Sequence, residues 1–178
     1  MQAIQYLLLF GLSIFTINTT TQATNEMTNH HIEAFQVVGI SARISNDRGS
    51  AGEEVEAIWR RFWSEDIRNK VPHIVNNDIY AVYTDYESDH TGAYTLIIGL
   101  SVTHLDDIPS GLVGVTVQAD TYEKFISRGQ MPGAVLKTWM DIWQDEDLDR
   151  GYRTDFTIHG KKYFDGDQAE VETFISVD

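Results

Sequence analysis

Two segments of the chain each contain a pair of tryptophans spaced four residues apart. Trp59 and Trp63 form the first pair, and Trp139 and Trp143 form the second. Around both pairs the apolar residues recur at steps of three and four, which predicts two helices with one apolar face each. A β-like segment precedes each helix and two follow it. This repeated order of strand, helix, strand and strand indicates a duplicated unit, and it constrains the fold more than any other feature of the sequence.

The predicted strands are runs in which apolar residues alternate with polar ones and β-branched or aromatic residues are frequent. In the first unit they are 35–44, 79–86 and 94–102, and in the second they are 122–126, 152–158 and 171–177. Residues 112–117 also have the pattern of a strand and are an alternative first strand of the second unit, but 122–126 lies nearer the helix and is preferred. A Thr-Asp-aromatic triplet at 84–86 and again at 154–156 adds to the similarity of the units.

Each unit alone would leave a sheet that one helix covers only in part, whereas two units side by side bury both of these faces. We therefore expect one α+β domain over residues 27–178. In it, a tandem strand-helix-strand-strand repeat forms an antiparallel sheet with two helices packed on one side. The halves are about 35–102 and 112–178, and we expect a groove between them.

Residues 1–26 differ from the rest of the chain in having a single charged residue, Glu26. Their apolar run, 6–17, has about twelve residues, fewer than the ~20 that a membrane-spanning helix needs. We prefer the interpretation that Met27 is the true start of the protein, which predicts a cytoplasmic location. The alternative is that residues 1–23 are a cleaved signal peptide, which predicts export.

The net charge of −14 and the absence of cysteine exclude several classes of function. A strongly acidic surface repels phosphate backbones, so we expect no direct binding of nucleic acid. Without cysteine there is no disulfide framework, thiolate metal site or cysteine nucleophile. The P-loop, G-x-G-x-x-G and G-x-S-x-G motifs are absent, and the histidines lack metal-ligand spacing. We therefore predict no cofactor, no metal, no catalytic residue and no membrane partner.

Aromatic residues make up 11% of the chain and cluster on the predicted helices and strands. Large aromatic side chains commonly fill cores, and core packing accounts for roughly half of those in this chain. The others predict a partly open cleft, since a buried tyrosine hydroxyl needs a hydrogen-bond partner. Aromatic walls in an acidic protein are suited to holding organic cations.

Seven short segments, in a fixed order, resemble one known family. They are 35–41, 59–62, 80–87, 94–99, 109–111, 122–129 and 139–143. The family is the GyrI-like small-molecule-binding domain, the effector-binding domain of AraC-type and some MerR-type transcription regulators. No helix-turn-helix segment precedes Phe35, so the resemblance implies a stand-alone member. It also implies that amphipathic, often cationic, organic compounds bind in an aromatic groove between the halves.

The resemblance and the aromatic clustering together give the candidate ligand-binding residues. They are Trp63, Tyr83, Tyr94, Trp139, Trp143, Asp155, Phe156 and Thr157. The family usually has a glutamate in the penultimate strand that faces the groove and balances the ligand charge, and Thr157 stands in its place here. Asp155 shares a face with Thr157, opposite Phe156, because side chains alternate along a strand. Asp155 could therefore supply the missing charge, or it could be a surface acid beside a turn, and the sequence leaves both open.

The preferred function is the binding of amphipathic, cationic organic molecules without any chemical step. One alternative is a small-molecule hydrolase of the GyrI-like type. Thr157 argues against it, because a hydroxyl cannot act as a carboxylate base. The other alternative is an acidic protein-interaction role that resembles that of the DNA gyrase inhibitor, with an unknown protein partner.

Overall fold

The structure is a computed structural model that describes residues 29–46 and 49–178. Both interpretations of residues 1–26 concern a segment outside the described residues. The elements, in chain order, are β1 (Asn29–Ile32), β2 (Phe35–Ser45), α1 (Ala51–Ser64), α2 (Ile67–Lys70), β3 (Ile74–Thr84), β4 (Ala93–Val102), β5 (Val113–Val117), β6 (Asp120–Arg128), α3 (Gly133–Gln144), β7 (Thr154–His159) and β8 (Glu170–Ser176). Two short 3₁₀ turns, Lys161–Phe164 and Gly166–Gln168, connect β7 to β8.

These strands form one antiparallel sheet in the order β1-β6-β8-β7-β3-β4-β2-β5. The strands of the first unit, β2, β3 and β4, lie on one side of the β3–β7 pairing, and those of the second, β6, β7 and β8, lie on the other. The expected α+β class and tandem repeat are therefore confirmed. Strand β6 pairs with β8 and is the first strand of the second unit, whereas β5 pairs with β2 at the far edge.

The two units meet where β3 pairs with β7. Thr84, the last residue of β3, lies opposite Thr154, the first residue of β7, and their hydroxyl oxygens are 3.0 Å apart. The two Thr-Asp-aromatic triplets thus lie at opposite ends of their strands. They are not equivalent positions of the repeat, so that part of the predicted similarity is wrong.

One face of the sheet carries both long helices. Helix α1 packs on β2 and β4 and buries Ile58 and Phe62, which lie four residues apart on one side of the helix. Helix α3 packs on β6 and buries Trp139 and Ile142. Tyr83 of β3 contacts the apolar clusters under both helices, so it marks the boundary between the two halves.

On the opposite face, the curl of the sheet brings apolar residues from several strands together in a second core. Phe156 of β7 is central to this second core, with its ring 5.1 Å from those of Phe35 and Tyr122 and stacked 4.7 Å from that of Phe174. It is 1% exposed. Phe156 therefore belongs to the core on the side of the sheet away from the helices.

Gly39 and Gly99 face each other in the pairing of β2 with β4. A Cβ atom on Gly39 would overlap the carbonyl oxygen of Ile98, and one on Gly99 would overlap that of Val38. Neither position can carry a side chain unless a strand moves. The glycine pair therefore permits the close approach of the two strands beneath α1.

Candidate functional site

A cavity of about 490 Å³ lies on the helical face of the sheet, between α1 and α3. Its walls include Trp59 and Trp63 from α1 and Trp139 and Trp143 from α3. A spacing of four residues places both members of a pair on the same side of a helix, so each pair faces the cavity. All four tryptophans of the chain line this one cavity. We call it the aromatic cavity.

Three tyrosines complete the aromatic wall where β3 and β4 meet the helices. The ring of Tyr83 lies 4.7 Å from that of Trp139 and 5.9 Å from that of Tyr94, which in turn lies 5.9 Å from Tyr86. Burial, with a smaller contribution from Glu54, raises the pKa of Tyr94 to about 12. Burial also raises the pKa of Tyr83 above its usual value. The hydroxyls therefore remain protonated at neutral pH and can donate hydrogen bonds.

His159 and Tyr163 line the cavity beside Trp59. The imidazole ring is 4.8 Å from the Trp59 ring and 5.1 Å from the Tyr163 ring. Its Nε2 atom is 2.8 Å from the hydroxyl of Thr157. Burial lowers the pKa of His159 to about 4, so this side chain is neutral at physiological pH.

The carboxylate of Asp155 lies beneath the aromatic cavity and is fully buried. Oδ2 accepts hydrogen bonds from Nη2 of Arg150 at 2.6 Å and from the hydroxyl of Tyr86 at 2.7 Å. Oδ1 accepts from the backbone N–H of Ser176 at 2.8 Å and from its hydroxyl at 3.0 Å. Asp155 is thus neither a surface acid nor a free charge in the cavity, because four donors from the protein already engage it.

Arg150 separates Asp155 from the cavity. Its side chain is 5% exposed and lines the cavity, whereas Asp155 does not. The guanidinium carbon is 4.3 Å from the ring centre of Tyr152 and 5.9 Å from that of Trp139. Burial by itself would lower the pKa of Arg150, but the Asp155 carboxylate and the Tyr86 phenol outweigh it, so the pKa is raised. Arg150 is therefore a permanent cation in the cavity wall.

The structure brings together five of the eight predicted site residues. Trp63, Tyr83, Tyr94, Trp139 and Trp143 all line the aromatic cavity. Asp155 and Thr157 are on the expected face of β7 but are covered, with no exposed area. The placement of Phe156 in the groove is wrong, because alternation along β7 directs it into the core on the opposite face. That these residues bind a ligand remains a prediction.

Six further lining residues bear on the chemistry of the site and were not predicted. They are Trp59, Tyr86, His90, Arg150, His159 and Tyr163. The repeated tryptophan pair could have indicated Trp59. Arg150 had no sequence signal, since it lies in the segment between α3 and β7 and reaches Asp155 only in the folded chain.

Among the described residues that line the cavity, Glu56 is the only carboxylate. It is solvent-exposed and lies 2.6 Å from Nη2 of Arg60 on the outside of α1. No group of three or more potential metal ligands is found within residues 29–46 and 49–178. The described helices also include none with the length and apolar character that crossing a membrane requires.

Comparison with known proteins finds relatives over almost the whole described chain. YobU of Bacillus subtilis (strain 168), described as a candidate transcriptional regulator, is 26% identical over 151 residues, which cover 83% of this chain and 94% of YobU. The integron cassette protein VCH_CASS2, from the mobile metagenome of Vibrio cholerae, is 28% identical with a TM-score of 0.66, over 85% of this chain and 95% of that structure.

A third protein shares the fold at lower identity. The structure of SAV2435, solved with bound tetraphenylphosphonium, has a TM-score of 0.66 and 17% identity over 85% of this chain and 93% of that one. The family described as "Cass2: Integron-associated effector binding protein" matches residues 30–177. This match agrees with the predicted resemblance to GyrI-like effector-binding domains. The chain belongs to the Cass2 family of integron-associated effector-binding proteins.

Proposed function

We propose that the aromatic cavity binds amphipathic organic molecules that contain aromatic rings, organic cations among them. The observation that carries this proposal is that all four tryptophans of the chain line one cavity. Its volume of about 490 Å³ falls within the roughly 300–1,000 Å³ that is usual for sites of small organic ligands. Aromatic walls provide large contact areas with little loss of side-chain freedom.

The relatives support binding of a small-molecule effector. The family to which the chain belongs is described as effector binding. SAV2435, which has the same fold, holds tetraphenylphosphonium, a cation made of four phenyl rings around phosphorus. A ligand of that class suits the aromatic lining of the cavity.

The attraction for cations arises from the aromatic rings and from the net charge of the chain. The faces of tryptophan and tyrosine attract cations by about 0.5–2 kcal/mol, and a charge of −14 raises the local concentration of cations. No buried carboxylate adds to this, since Asp155 is already paired with Arg150 and the lining residue Glu56 is exposed beside Arg60. We therefore expect any preference for cations over neutral molecules of the same shape to stay below about thirtyfold, which corresponds to about 2 kcal/mol.

The geometry favours binding over hydrolysis. Thr157 and His159 form a hydroxyl–imidazole pair at 2.8 Å, which is the arrangement of a nucleophile and its base. Thr157, however, has no exposed area and cannot reach a molecule in the cavity. Because the pKa of His159 is lowered to about 4, the imidazole is also a weak base at neutral pH.

The test uses the tryptophans as the probe, because every tryptophan of the chain lines the cavity. Methyltriphenylphosphonium, a cation, and triphenylphosphine oxide, its neutral counterpart of nearly the same shape, are titrated while tryptophan emission and calorimetric heat are recorded. We expect both compounds to bind at one site per chain and to change the emission at the same concentrations at which heat is released. Heat without a change in emission would place the site elsewhere, and the absence of both for each compound would refute the proposal.

A further inference from the structure

The surroundings of the Arg150 guanidinium have the composition of a binding site for an organic cation. A carboxylate oxygen of Asp155 lies 2.6 Å away, the ring of Tyr152 lies 4.3 Å away and the ring of Trp139 lies 5.9 Å away. A carboxylate among aromatic faces is the arrangement that holds quaternary ammonium and phosphonium groups. In this chain, the protein's own cation occupies it.

We infer that Arg150 acts as an internal cation that fills the charge position of the aromatic cavity and so determines which ligands the cavity accepts. The inference rests on the proposed function and adds a specificity-determining residue to it. The ligand class that follows is aromatic and amphipathic, with a neutral or oxygen-bearing group, not a permanent positive charge, next to Arg150.

The order of the groups supports this role. Arg150 lines the cavity and Asp155 is fully buried behind it, so a ligand meets the guanidinium before the carboxylate. A positive group at this end of the cavity would meet the guanidinium first and would find the carboxylate already neutralised by it. The carboxylate cannot turn toward the ligand, because Tyr86 and Ser176 hold both of its oxygens as well.

The hydrogen bonds of Arg150 indicate the same preference. Its Nε and Nη1 atoms are buried and have no hydrogen-bond partner among the described residues. Both atoms are donors. Both atoms are covered in the structure, so a ligand oxygen gains these hydrogen bonds only where the guanidinium turns toward it, and a cation cannot gain them at all.

The experiment compares the dissociation constants of methyltriphenylphosphonium and triphenylphosphine oxide across a set of variants. Arg150→Gln removes the positive charge and keeps a donor near Asp155. We expect the ratio of the two constants to shift toward the cation by about tenfold or more, as the removal of one nearby like charge predicts. Arg150→Lys keeps the charge, so the dissociation constant of the cation should stay at the wild-type value, although the oxide loses the guanidinium donors. Lys137→Gln removes an exposed charge from the outer side of α3 and should retain the wild-type ratio.

A second pair of variants keeps the test decisive if Arg150→Gln does not fold. Asp155→Asn leaves the arginine charge unbalanced and should shift the ratio toward the neutral oxide. The double variant Arg150→Gln/Asp155→Asn removes both charges and should return the ratio to within about threefold of the wild type, since the pair is nearly neutral as a unit.

The outcomes separate this inference from the proposed function. If neither compound binds the wild-type protein, the proposed function fails. If both compounds bind the wild type, and the ratio of their dissociation constants is unchanged in Arg150→Gln and in Asp155→Asn, the proposed function is supported. The role of Arg150 is then refuted. If Arg150 were purely structural, its replacement would lower stability and weaken the binding of both compounds equally, without changing the ratio of their dissociation constants.

Discussion

Nη2 of Arg150 donates a 2.6 Å hydrogen bond to Oδ2 of Asp155, and the two side chains are 5% and 0% exposed. The pair joins the segment before β7 to β7 itself, and the bonds from Ser176 to the same carboxylate extend the network to the end of β8. A buried pair of this kind is sensitive to the loss of one partner, because the remaining charge has no water to solvate it.

Asp155→Asn should therefore destabilise the protein by about 3–5 kcal/mol. The matched control is Asp141→Asn, which breaks an exposed pair with Lys137 at 2.5 Å and should cost less than about 0.5 kcal/mol. Urea-induced unfolding of both variants and the wild type measures the difference. If both variants lose the same small amount of unfolding free energy, the buried Arg150–Asp155 pair does not stabilise the protein.

The helices and the long strands follow from patterns in the sequence, and the exceptions have physical reasons. Ile58 and Phe62 recur at the helical spacing, and the segment of β6 lies nearer α3 than that of β5, which favours it as the first strand of the second unit. Strand β1, which contains His30 and His31, has too few apolar residues to be predicted and exists through its pairing with β6. Helix α2 has only four residues.

The sequence predicts the part of the candidate site that lies on regular helices and strands. Aromatic residues on the helices and on β3 and β4 occupy positions that periodicity determines. Six of them line the cavity, and five of these are predicted site residues. Arg150 lies in an irregular segment, so its contact with Asp155 depends on tertiary structure that no local pattern contains. The prediction that Phe156 faces the groove is wrong, although the alternation rule sets Phe156 opposite Asp155 and Thr157.

The buried imidazole of His159 should make the stability depend on pH. Its pKa is lowered to about 4 by burial, whereas a histidine in the unfolded chain has a pKa of about 6.5. Between these values the unfolded state takes up more protons, so stability present above pH 6.5 is lost as the pH falls toward 4.

The wild type should consequently lose about 2 kcal/mol more than His159→Gln between pH 7 and pH 5. Denaturant unfolding of both proteins at the two pH values gives this difference. His31→Gln, at a side chain that is 63% exposed, is the control and should follow the wild type. If His159→Gln keeps the full pH dependence of the unfolding free energy, groups other than His159 cause it.

Neighbouring residues of α1 should separate ligand binding from stability. Trp63 lines the cavity and is 48% exposed, whereas Phe62 is 1% exposed in the core. Trp63→Ala should weaken the binding of methyltriphenylphosphonium about tenfold and change the free energy of unfolding by less than about 1 kcal/mol. Phe62→Ala should cost about 3–5 kcal/mol of stability.

Calorimetric titration and thermal unfolding of these two variants check that contrast. The binding measurements are made at a temperature at which Phe62→Ala is still folded, and there its affinity should lie closer to the wild type than that of Trp63→Ala. If Trp63→Ala binds methyltriphenylphosphonium with wild-type affinity, Trp63 is not part of the binding surface.

The central claim is that an aromatic molecule occupies the cavity between α1 and α3, and a crystal structure of the protein with methyltriphenylphosphonium tests it most directly. We predict that the phenyl rings lie within about 4.5 Å of Tyr83 and Trp139, with the phosphorus atom away from Arg150. A structure in which the compound lies on the outer surface, with the aromatic cavity empty, would contradict the account.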